Sequence, residues 1–307
     1  MVDHIGIIGN GMIGSSWACM FTGNGIKVTL VDMPQFLKTE RYDNYYKDLI
    51  EMGLVTREQY EKCRQLMTYT SDYSDLKDEE VILECVPEKL EIKYSVYKQV
   101  EKNCPKLKAI ASSTSATSPA DLAKGMKAKE KLVGAHPWNP PHLVPCVEIV
   151  KNDYTNQEIM DMIQELFEYC GREVSILNFP APGFIANRLQ HALYREAVNI
   201  IEQGICSPED VDKALRSSFA PRYTSIGIFE HFDYAGLDMI KSIDDYLFPD
   251  LCNAAKTQNM IEERFQRGDL GYKTGKGVYD WTKVDMDAFR KKASDPYLKF
   301  FNWKLPE

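Results

Sequence analysis

Nowhere in its 307 residues does the chain hold an apolar run near the ~20 residues that cross a bilayer, so no membrane span is expected. Its start lacks a basic segment followed by an apolar core and a small-residue cleavage site, so no secretion signal is expected either. No CxxC pair occurs among the eight cysteines, and no cysteine–histidine cluster has zinc spacing. A bound metal is therefore not expected, and the thiols read as free in a reducing cytoplasm. Positive charge is also short. Lys and Arg total 37 against 45 Asp and Glu, a net charge of −8. That balance argues against broad binding to nucleic acid or to an anionic membrane. Internal repeats and low-complexity segments are absent.

What remains is an ordinary globular composition, 44% apolar and 27% charged. The length exceeds one typical core and predicts two domains. Residues 4 to 33 read as strand (HIGIIGN), Gly-rich turn, helix and second strand (KVTLVDM), a parallel βαβ unit. Residues 34 to 70 are polar and amphipathic and predict helices. VILECV, KAIASSTS, KLVGAH, VPCVEIV and REVSIL are further strand candidates, with helical patterns at KLEIKYSVYKQVEKNC and SPADLAKGM. Alternation of this kind predicts a doubly wound α/β layer. After NFPAPG the pattern turns helical with almost no strand signal. The expected architecture is a Rossmann-type domain over residues 1–182 and an all-helical domain over 183–307.

Gly9, Gly11 and Gly14 spell G-x-G-x-x-G, with Met12 and Ile13 in the turn, between a strand and a helix. Asp32 ends the next strand 18 residues after Gly14. The glycines permit a tight turn, close approach to a pyrophosphate, and close helix–strand packing, while the helix start favours an anion. A carboxylate at Asp32 suits ribose hydroxyls and repels a 2′-phosphate, which predicts NAD rather than NADP. The plainer reading is a Gly-rich turn with no ligand and a surface aspartate.

The loop HPWNPPHLVPC joins two strand candidates and holds four prolines. With this loop, SSTS, VPEKLEIK, GFIANRL, SPEDVDKAL and GYKTGKGVYDW in view, the chain resembles the L-3-hydroxyacyl-CoA dehydrogenase family over nearly its whole length. HPWNPP resembles the branch that holds lambda-crystallin, L-gulonate 3-dehydrogenase and L-carnitine dehydrogenase. The resemblance implies a catalytic set of Ser115, His136, Glu148 and Asn187. It implies that Glu88, Lys93, Ser115 and Asn139 help hold the nicotinamide half of NAD, and that the helical domain forms a homodimer. The stripe Ile185, Leu189, Leu193, Ala197 and Ile200 reads equally as core or interface.

The chemistry fits such a set. Oxidising a secondary alcohol removes a hydride from carbon and a proton from the hydroxyl, and an imidazole changes charge near neutral pH. A carboxylate on its far nitrogen fixes the tautomer. Ser115 and Asn187 would donate to the substrate oxygen, in a cleft between the two domains. Singly, each residue has a plain structural reading: a satisfied strand-end histidine, a capping turn, a surface asparagine. His142, in the same loop, reads as a loop residue, and His4, His191 and His231 have no comparable context. Arg222 is a candidate for a substrate carboxylate, or a surface arginine. The expected reaction is NAD-dependent oxidation of the L-3-hydroxyl of a small 3-hydroxy acid. The alternatives are an L-3-hydroxyacyl-CoA dehydrogenase of fatty acid metabolism and a non-catalytic nucleotide-binding structural protein.

Overall fold

The computed structural model describes residues 2–306. The first strand, β1 (His4–Ile8), is short and β-branched, and all but its first residue are buried. It leads through the glycine turn into α1 (Met12–Gly23), which is buried along its length from Gly14 onward. Then follow β2 (Lys27–Val31), α2 (Glu40–Glu51), α3 (Arg57–Arg64), β3 (Met67–Thr70) and β4 (Val81–Glu84). A second run supplies α4 (Leu90–Asn103), β5 (Ala109–Ser112), α5 (Pro119–Ala123) and β6 (Leu132–Pro137). It closes with β7 (Cys146–Lys151), α6 (Gln157–Tyr169) and β8 (Glu173–Leu177).

These strands form one sheet in the order β3-β2-β1-β4-β5-β6-β7-β8. Every neighbouring pair is parallel except β6–β7, which the proline-rich loop joins as an antiparallel pair. The core lies on both faces of the sheet, as a parallel sheet requires. On one face Trp17, Phe21, Tyr46 and Phe167 pack over Ile5, Ile7 and Val28. On the other, Tyr97, Val100 and Leu122 pack over Ile8, Val31 and Ile82.

Two features differ from the sequence reading. β3 lies within 34–70, where only helices were expected. It is a four-residue edge strand, half exposed, with threonines at two of its positions, too short and polar to show a period. The second concerns the C-terminus. By contacts the first compact unit takes the described residues up to Ile185 and again from Arg290, and the second unit is Ala186–Phe289. The last segment was expected in the helical domain. It packs instead on the first unit, where Trp303 joins the core. Gly23 makes room for it: a Cβ there would fall 2.1 Å from the Trp303 ring. Asn24 Oδ1 accepts from Lys304 N at 3.0 Å.

The second unit holds α7 (Ala186–Glu202), α8 (Pro208–Ser217), α9 (Ile228–Ala235), α10 (Leu237–Leu247) and α11 (Asn259–Arg267). A last helix, α12 (Met286–Ser294), begins in it. Ser207 caps α8, accepting from Asp210 N at 3.2 Å. Among its described residues only Val198 is buried.

Candidate active site

The glycine turn after β1 is shaped by close approach. Gly9 has φ 107°, a region costly for other residues. A Cβ on Gly14 would lie 1.9 Å from Gly9 O, so the first turn of α1 presses directly on the loop. Gly11 is the opposite case. It is the N-cap of α1, no side chain caps the helix start, and a Cβ there would meet nothing within 4 Å. The open N–H groups at this helix start can therefore receive an anion.

Asp32 stands just past the end of β2. Its Oδ2 accepts from Asn10 N at 2.6 Å and its Oδ1 from Met33 N at 2.7 Å. Asn10 is buried and donates to Phe36 O at 2.7 Å and Lys38 O at 2.8 Å, which fixes the wall beyond β2. The result is a cleft of about 1060 Å³ lined by Gly9, Gly11, Met12, Ile13, Asp32 and Val86, among others. Open amides for a diphosphate, a carboxylate for ribose hydroxyls and a cleft of this size fit NAD. Arg41 also lines this cleft.

Sheet register brings the next pair together. His136 on β6 lies directly opposite Glu148 on β7, and directly opposed residues share a face. His136 Nδ1 is 2.9 Å from Glu148 Oε2. A carboxylate only accepts, so Nδ1 carries a proton, and in the neutral ring Nε2 is then the nitrogen with the lone pair. Glu148 is buried and also accepts from Trp138 Nε1 at 3.3 Å and Ile185 N at 2.7 Å. His136 is only 9% exposed, with the Phe184 ring 5.1 Å away. Phe184 has φ 48°, a strained conformation for a bulky residue. It is held beside the imidazole.

A third group lies past β4 and β5. Ser115 stands exposed in the bend after β5, and its hydroxyl makes no hydrogen bond among the described residues. Thr114, next to it, is buried and donates to Glu88 Oε1. Thr117 N donates to the same oxygen at 3.0 Å. Burial alone would raise the Glu88 pKa. These hydrogen bonds and the Lys93 charge outweigh it and hold the carboxyl below its usual range. Lys93 is buried, 3.2 Å from Glu88 Oε2 and 2.9 Å from both oxygens of Glu84.

Asn139 is exposed, its Nδ2 3.8 Å from Met12 Sδ at the glycine turn. His142 is buried, with Nδ1 2.8 Å from Ser16 Oγ, and it packs on Tyr45. Burial and the Arg172 charge push its pKa down to about 3, so it is a neutral strut of the loop. Asn187 and Arg222 belong to the second unit. Asn187 is in the first turn of α7. Arg222 donates to His231 Nε2 at 3.0 Å.

Sequence reasoning passed over several of these residues, Glu84 among them, and set His231 aside. Glu84 was signalled by a carboxylate inside the apolar run VILECV. Phe184, Trp138 and His231 carried no comparable signal.

Two family models match the chain: the 3-hydroxyacyl-CoA dehydrogenase NAD binding domain over residues 4–178 and its C-terminal domain over 183–281. An L-carnitine dehydrogenase of Oceanobacillus iheyensis is 34% identical over 239 residues, 76% of each chain. A lambda-crystallin homolog of Mus musculus is 32% identical over 229 residues, 73% of this chain and 72% of that one. The solved structure of 5-formyl-3-hydroxy-2-methylpyridine 4-carboxylic acid 5-dehydrogenase, an NAD+ dependent dismutase, superimposes with a TM-score of 0.84 at 27% identity. That match covers 98% of this chain and 97% of the other. With the cofactor cleft and its register-paired histidine, the chain belongs to the 3-hydroxyacyl-CoA dehydrogenase family, beside L-carnitine dehydrogenase and lambda-crystallin, as an NAD-dependent dehydrogenase.

Proposed function

We propose that the chain oxidises the L-3-hydroxyl of a small 3-hydroxy acid to the 3-keto compound and catalyses the reverse reduction. The observation that carries this reading is the His136–Glu148 pair at 2.9 Å. Bound NAD would supply the acceptor for the hydride leaving the alcohol carbon. His136 Nε2 takes the hydroxyl proton, and Glu148 stabilises the imidazolium that forms. In reverse, Nε2–H returns the proton to the forming alkoxide. Ser115 donates to that same oxygen and stabilises charge as it develops, and Asn187 is proposed as a further donor of the same kind. Asp32 and the turn Gly9, Gly11, Met12, Ile13 and Gly14 hold the adenosine diphosphate half of the cofactor. Glu88, Lys93, Ser115 and Asn139 serve the nicotinamide half.

Arg222 is assigned to a substrate carboxylate. Its guanidinium forms no ion pair among the described residues and donates to the His231 imidazole. A guanidinium in that state can still form a bidentate pair with an acid. The dehydrogenase matched over nearly full length is named for a carboxylic acid, which supports the same class. The cytoplasm suits the eight free thiols.

NAD reduction measured across 3-hydroxy acids and 3-hydroxyacyl-CoAs tests the reading. A kcat/KM at least tenfold higher for a free acid is expected. Preference for a CoA thioester would replace this reading with an acyl-CoA dehydrogenase of fatty acid metabolism. No turnover with either class, alongside NAD binding, would leave a structural nucleotide-binding protein.

A further inference from the structure

Glu84 is a charged residue at the end of β4 with no exposure at all. Five contacts hold its carboxylate. Lys93 Nζ lies 2.9 Å from each oxygen. The Tyr97 hydroxyl donates at 2.9 Å, Ser112 Oγ at 2.6 Å and Val86 N at 2.9 Å. Lys93 in turn is 1% exposed, and its remaining carboxylate contact is Glu88 Oε2 at 3.2 Å. Ser112 Oγ also lies 3.5 Å from Nζ, so among the described residues this ammonium faces Glu84, Ser112 and Glu88 together. The far oxygen of Glu88 takes Thr114 Oγ1 and Thr117 N. One continuous chain of contacts thus runs from the floor of the sheet to the bend that carries Ser115.

Stability gives little reason for this arrangement. A buried ion pair is often no better than apolar residues of the same volume. Here one ammonium serves two carboxylates, leaving one net negative charge in the cluster, a worse balance than a simple pair. What the second carboxylate adds is reach. Glu88 is the member that leaves the interior and grips the 114–117 bend.

We propose that Glu84 is a positioning residue for the dehydrogenase reaction: it anchors Lys93, Lys93 fixes Glu88, and Glu88 holds the bend that presents Ser115. This rests on the role given to Ser115 above. In this arrangement Lys93 acts through Glu88, since its donors are committed inside the protein.

The test is hydrogen exchange on the apo protein, paired with kinetics. Glu84→Gln keeps the shape and removes the charge, while Lys93 retains Glu88. Amides of 114–118 are expected to exchange at least tenfold faster. Amides of β1, β2 and α1 keep their wild-type rates, and kcat falls at least tenfold. Should Glu84→Gln fail to fold, Glu84→Gln with Lys93→Met removes both charges together, and the same local loosening is expected. Wild-type exchange at 114–118 in a folded variant overturns the proposal. So does equal acceleration across the bend and the core, or a loosened bend with unchanged kcat. If the wild type turns over no 3-hydroxy substrate, the function assigned above fails, and exchange at 114–118 still decides whether Glu84 holds the bend.

Discussion

His136 carries the chemistry through one nitrogen, so its replacement separates catalysis from folding. His136→Gln retains a donor for Glu148 and loses the base. The expected fall in kcat is about 10²- to 10⁴-fold with NADH affinity unchanged, read by steady-state kinetics and fluorescence titration. Arg222→Ala is expected to raise KM for acid substrates about 10- to 100-fold, at about 1.5–3 kcal/mol for a charge-assisted bond, with kcat little changed. Wild-type KM values would return Arg222 to the surface. His142 gives a pH signature. Its folded pKa is pushed down to about 3 by burial and Arg172, against about 6.5 for an unfolded chain. The unfolded state therefore takes up a proton that the folded state refuses. Stability is unaffected above about 6.5 and falls as pH drops toward about 3. Between about pH 7.5 and about pH 5 this amounts to about 2 kcal/mol. A His142→Asn variant should show that much less acid sensitivity in denaturant melts. Equal pH slopes for the two proteins would refute the assignment. His136 and Asp32 were legible in the sequence because they lie at the ends of readable strands, and Glu148 because it is a lone carboxylate within the next one. Glu84 was not, since a carboxylate in an apolar run looks like an error of pattern until Lys93 appears beneath it.

Among the elements, the strongly apolar ones declared themselves. β1, β2 and β4 are largely buried β-branched runs, β6 is buried throughout, and α1 opens on its glycine turn. β3 was invisible because Met67–Thr70 has one buried position and no room for a period. The C-terminal segment was hidden for a different reason. Phe301 and Trp303 lie in a short aromatic-rich tail with no readable period, and only tertiary packing gives them a partner. Trp303→Ala is expected to destabilise the first unit by about 3–5 kcal/mol, measured as a shift in the urea midpoint. A shift under about 1 kcal/mol would mean that the segment is carried rather than structural. Gly14→Ala should abolish NADH binding, because its new methyl would sit 1.9 Å from Gly9 O. Fluorescence titration that finds wild-type affinity would sink the close-packing account.

At the scale of the whole molecule, the second unit poses the outstanding demand. Its 104 residues, 186 to 289, bury one side chain among those described. Leu189, Leu193, Phe229, Leu237 and Phe248 are all exposed. Apolar surface on this scale is a feature of interfaces, and the homodimer expected from the sequence would cover it. Light scattering after size exclusion should return twice the 35.2 kDa chain mass. Leu189→Glu with Leu193→Glu should shift the protein to the monomer, with a melting temperature that no longer rises with concentration. A wild-type mass of one chain at micromolar concentration would exclude the dimer. The sequence carried the stripe but not its use, because periodicity reports which face is apolar and is silent about what covers it.

The one antiparallel rung in the sheet has a consequence for how this chemistry can drift. Side chains on a strand alternate sides, so sliding β7 along β6 by a single residue would set Val147 or Ile149 across from the imidazole. There is no halfway setting. Backbone pairing makes proton acceptance an all-or-none inheritance, while the loop between the two strands stays outside that constraint.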